Sequence, residues 1–99
     1  MDIDQARAAH SALKDFFASH AKGRLESGDA QSVAQLCRQA AKSVGDSECR
    51  NALGKIERYT ELLSTTEREP RGNDYVRLRV QNALALFRSH LKGVEAARR

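Results

Sequence analysis

The 99 residues carry a net charge of +4, with 40% hydrophobic and 30% charged side chains. That balance excludes a disordered or fibrous chain, and the length excludes a large multidomain enzyme. One small globular domain spanning 1–99 is expected, and five aromatics and one proline amid abundant Ala and Leu point to helix.

The first helix is expected to start after Asp2 or Asp4 and to run to Lys22 or further. Ile3, Ala6, Ala9, His10, Leu13, Phe16, Phe17 and His20 recur on one face at helical spacing. Gly23 and Gly28 weaken the last turns, so 23–28 is expected to fray. Asp29 offers the next N-cap, ahead of the stripe Val33, Leu36, Cys37, Ala40 and Val44. Gly45 suits a left-handed C-cap. Asp46 or Ser47 then caps a third helix with the stripe Cys49, Ala52, Leu53, Ile56, Tyr59, Thr60 and Leu63, ending in the polar run Ser64-Thr65-Thr66. Residues 67–73 hold the single proline and form the clearest loop. Asn73 or Asp74 is expected to cap the last helix, which has the cleanest period in the chain: Val76, Val80, Ala83, Leu84, Phe87, Leu91 and Val94.

These patterns predict an all-α fold, a compact antiparallel bundle of four helices. Two alternatives share the same stripes. One is a three-helix bundle with a kinked middle unit; the other is a dimeric bundle that completes its core between chains, which keeps a homodimer open.

The acidic start, Met1-Asp2-Ile3-Asp4, shows no basic segment followed by an apolar one, so no secretory signal is expected. The longest apolar run, 83–87, falls far short of the roughly 20 residues that span a bilayer. With no membrane segment and only two cysteines, a cytoplasmic setting with reduced thiols is expected. The compact, alanine- and arginine-rich style suggests a bacterial or mobile-element origin.

The positive charge is unevenly placed. Residues 75–99 hold six bases and one acid. At about 100° per residue, Arg77, Arg88, Lys92 and Arg99 share one arc roughly 60° wide, a ridge about 33 Å long. Such a row matches phosphates or an acidic protein face. Solvated charge and compensation of the helix dipole are the plainer reading of the same residues. Tyr75, Leu78 and Leu86 lie on the far shoulder of that helix, and Leu62 points off the third stripe. Exposed together, these would form a contact patch.

His10, His20 and His90 read as core-edge histidines with hydrogen-bond partners. His10 and His20 stand about 15 Å apart along one helix, too far to share a metal ion. Cys37 and Cys49 face inward on adjoining helices, but their unequal distances from Gly45 disfavour a relaxed disulfide.

Ser89-His90-Leu91-Lys92-Gly93 resembles the phosphoacceptor segment of histidine phosphotransfer bundles, yet it lacks the residue between His and Leu-Lys-Gly. Ala41-x-x-x-Gly45 with the following helix resembles the turn of a helix-turn-helix. There, Asp46 replaces an apolar turn residue, and Glu48, Glu57 and Glu61 cancel Arg50, Lys55 and Arg58. Neither resemblance implies a function through these departures. No glycine-rich phosphate loop, catalytic triad or zinc-type cluster is present, so no catalytic residue, cofactor or metal is expected.

The expected function is a small non-catalytic protein-interaction module, an adaptor, regulator or inhibitor. It would dock a partner protein, of acidic character, through Tyr75, Arg77, Leu78, Leu86, Arg88, Lys92 and Arg99. Nucleic-acid binding through the same basic stripe is the alternative.

Overall fold

The computed structural model describes residues 3–20, 25–64 and 72–97. Four helices account for nearly all of them: α1 (Ile3–Ser19), α2 (Ser27–Ser43), α3 (Ser47–Ser64) and α4 (Gly72–Ala97). Each packs against its neighbours in sequence, and α4 returns to α1, closing a ring around one core. Cross-helix pairs fix the directions. Arg7 at the start of α1 pairs with Glu95 at the end of α4. Ser43 at the end of α2 lies 2.9 Å from Gln5 Oε1 at the start of α1. Glu48 early in α3 approaches His90 late in α4, at 3.8 Å. All three contacts pair antiparallel helices.

The apolar periods become the core. Leu13, Val33, Leu53, Ile56, Val76, Val80 and Phe87 are all buried. Burial of such side chains, at about 1.5–3 kcal/mol each, is what holds helices of this length together, since propensity alone leaves short helices marginal. Thr60 also lies in the core, its hydroxyl satisfied by the Ile56 carbonyl at 2.6 Å.

Helix ends depart from the sequence expectations in four places. α1 stops at Ser19 rather than reaching Lys22. His20 caps it: its backbone N–H donates to the Phe16 carbonyl at 3.0 Å, its Nδ1 lies 2.9 Å from the same oxygen, and its ring stacks on Phe16. α2 begins at Ser27, with Glu26 as N-cap. Asp29 therefore sits inside the first turn and reaches back to accept from the Glu26 backbone N–H at 3.2 Å.

The expected fraying over 23–28 does not extend to Leu25 and Gly28. Leu25 is buried in the core, its N–H donates to the Leu63 carbonyl at 3.2 Å, and Gly28 lies within α2. A buried leucine with a paired backbone fixes the chain just before α2, where glycine content alone would predict looseness.

Gly45 is not a left-handed cap. α2 ends instead on Val44, in extended conformation (φ −123°, ψ 118°) and fully buried, so tertiary burial of one side chain sets the break. This break separates α2 from α3 and removes the kinked three-helix alternative. Asp46 does cap α3, accepting from the Cys49 N–H at 3.0 Å. α4 starts at Gly72, which places Asn73 and Asp74 inside the helix rather than at its cap.

Candidate functional site

The helical wheel of α4 gives its outward face one long basic ridge. Arg88 and Lys92 are exposed there, one helical turn apart. Arg99 lies outside the described residues. Arg77 has a different position. It is half-buried, and its guanidinium donates to the carbonyl of His20 at the end of α1. The last turn of α1 has no basic residue of its own. Arg77 thus supplies from α4 the cation that a helix C-terminus favours, and the ridge contracts to Arg88 and Lys92.

The apolar shoulder divides in the same way. Leu78 is 58% exposed and Leu86 44% exposed. Tyr75 and Leu62 are half-buried and pack against the core, so Leu62 does not point away from it as expected.

Packing of α1 beside α4 creates a cleft that neither helix shows alone. His10, Lys14, Gln81, Leu84, Ala85, Arg88, Ser89 and Lys92 line about 480 Å3. Ser11, Leu91, Arg7 and Glu95 continue it toward the end of α4. Three cations therefore converge over a floor of Leu84, Ala85 and Leu91. Among the described residues, no carboxylate stands within 4.0 Å of Lys14, Arg88 or Lys92. Glu95, the carboxylate at the rim, is engaged by Arg7. His10 tilts over Phe87, with ring centroids 5.8 Å apart. Burial holds its pKa below the usual 6.5, and Arg88 and then Lys14 push in the same direction, against a hydrogen bond with the Leu84 backbone.

A second cluster went unread in the sequence. Arg79, on the α3 side of α4, lies 5.7 Å from the Tyr59 ring centroid and 5.9 Å from that of Tyr75. Its Nε donates to the Tyr59 hydroxyl at 3.3 Å. The signal was available as Tyr75 and Arg79 at i, i+4, but Tyr59 arrives only through packing. Tyr and Arg in contact are common anchors of protein interfaces.

The remaining histidines and the thiols are accounted for locally. His20 caps α1 and stands 3.9 Å from Asp29, and His90 faces Glu48. Cys37 and Cys49 are buried free thiols. Burial pushes both up to about 12, helped at Cys37 by Glu57 and at Cys49 by a hydrogen bond and charge from Asp46. Among the described residues, no group of three or more His, Cys, Asp or Glu side chains could hold a metal ion, and no helix is long and apolar enough to cross a membrane. No protein-family model, curated protein or solved structure matches the chain.

Proposed function

We propose that this chain is a small non-catalytic interaction module, an adaptor, regulator or inhibitor, that docks an acidic partner protein in the cytoplasm. Docking uses the exposed face of α4. What supports this reading is that α4 leaves Leu78 exposed, carries the exposed cations Arg88 and Lys92 on its α1 side, with Lys14 across the cleft, and exposes Leu86 on its α3 side. Apolar contact supplies affinity at the centre of such a surface. The cationic edge steers an acidic partner and fixes its orientation. Arg79 with Tyr59 and Tyr75 borders the same face on its other side.

Nucleic acid is the competing ligand of a basic helix, and the contraction of the ridge weakens its case. Duplex binding draws on several cations spaced along the phosphates. With Arg77 turned to α1 and Arg79 engaged by Tyr59 on the α3 side, the basic stripe along the described part of α4 reduces to Arg88 and Lys92, with Lys14 across the cleft.

The test is capture from a lysate of the source cells by the wild-type chain, by Leu78→Asp, and by Arg88→Glu with Lys92→Glu. The expected result is a protein that survives nuclease treatment, is retained by wild type and is lost by both variants. Signal that disappears with nuclease, or that all three baits retain equally, overturns the reading.

A further inference from the structure

We propose that the cleft between α1 and α4 is a phosphoryl-binding site, and that its ligand is a phosphorylated serine or threonine of the partner protein. This inference rests on the docking reading above and gives it a chemical target.

The argument begins with charge. Lys14 from α1 and Arg88 and Lys92 from α4 line one cleft, and none has a carboxylate partner among the described residues. Arg88 and Lys92 stand at i, i+4, a like-charge spacing that is unfavourable in a helix unless an anion compensates it. A single carboxylate would leave most of that positive charge uncompensated. A phosphoryl group carries about −1.5 to −2 at neutral pH and offers three strong acceptor oxygens. It can engage the guanidinium fork of Arg88 on two of them and an ammonium on the third.

The lining supports the same assignment. Ser11, Ser89 and Gln81 add neutral donors, while Leu84, Ala85 and Leu91 form an apolar floor for the carbon atoms of a side chain. A volume of about 480 Å3 falls within the range of ligand pockets. A free phosphate ion would use the cations and leave this floor unused.

His10 gives the site a titration signature. The charged groups around it are Arg7 and Lys14 from α1 and Arg88, Lys92 and Glu95 from α4. In the free protein burial, then Arg88 and Lys14, hold the imidazole pKa below its ordinary value. A phosphoryl group beside it reverses the local field, raises its pKa and draws in a proton.

The experiment is NMR titration of the full chain, following the His10 imidazole and the Ser89 amide. Three probes are used: inorganic phosphate, a glutamate-flanked phosphoserine peptide, and the same peptide with unmodified serine. Lys14→Gln and Arg88→Gln remove the site, and Lys55→Gln on the exposed face of α3 is the charge-matched control. The expected result is saturable binding of the phosphopeptide, at least about tenfold tighter than either other probe, as one charge-assisted hydrogen bond supplies. It should weaken by a similar factor in both cleft variants, stay unchanged in Lys55→Gln, and raise the His10 pKa. Equal binding of both peptides overturns the phosphoryl assignment and leaves acidic docking intact. Phosphate binding as tightly as the phosphopeptide overturns the partner side chain as ligand. Binding of none of the probes overturns this inference, while the capture experiment still decides the docking reading.

Discussion

Arg77→Met separates the two roles that a basic residue on α4 can have. In the structure the guanidinium donates to the His20 carbonyl and stands at the C-terminus of α1. A hydrogen bond to a charged group contributes about 1.5–3 kcal/mol, and partial exposure brings this to the lower end. A cation at a helix C-terminus contributes about 0.3–1 kcal/mol. The two effects overlap, because the same carbonyl dipole is counted in both, so the loss should be about 1.5–2 kcal/mol. Methionine keeps the apolar stem, which removes packing as a confounder. In a domain of this size the melting temperature should fall by roughly 5–15 °C, read by circular dichroism at moderate salt. Partner capture below the transition should persist. A variant that melts with the wild type yet loses the partner would refute the assignment and return Arg77 to the docking face.

Three further outcomes follow from local geometry. Asp46→Ala removes the acceptor of the Cys49 N–H and should cost about 1 kcal/mol in urea denaturation, with an unchanged slope. His10 has a folded pKa below its unfolded value, so the unfolded chain binds the proton more readily. Its contribution to stability is therefore complete above about pH 6.5 and is lost as pH falls through the folded value; His10→Gln should flatten the wild-type decline in that window. Cys37 and Cys49, at 1% and 0% exposure with thiols pushed up to about 12, should resist a disulfide reagent at pH 8 and react together on unfolding. Burial leaves little thiolate under those conditions, and access is closed as well. Rapid native reaction of either cysteine would contradict the packing around it.

The parts of the fold legible in sequence are those set by period. The stripe from Val76 to Leu91 was readable because each apolar residue recurs on one side of a single long helix, and the structure buries it. Asp46 was readable as a cap because its partner is three residues away. Gly45 misled because a glycine after an apolar stripe fits a left-handed cap, whereas burial of Val44 ends α2 in extended backbone. Leu25 was missed because its anchor, the Leu63 carbonyl, is distant in sequence.

The candidate site follows the same division. A helical wheel placed Arg77, Arg88 and Lys92 on one arc, but it says nothing about which helix lies beside that arc. The neighbour is α1. It withdraws Arg77 through the His20 carbonyl, and it brings Lys14 and His10 to Arg88 and Lys92. Arg79 escaped notice because it lies outside the arc of Arg77, Arg88 and Lys92 and acquires Tyr59 only through the packing of α3.

The contact of α1 with α4 is the thinnest of the four that close the ring. The cleft lies along that seam, with Lys14 on one side and Arg88 on the other. An anion held by both acts as a rivet. It cannot be gripped by a chain whose first helix has swung away, so occupancy and closure are one equilibrium. At a hundred times its dissociation constant such a ligand adds about 2.7 kcal/mol to the closed form.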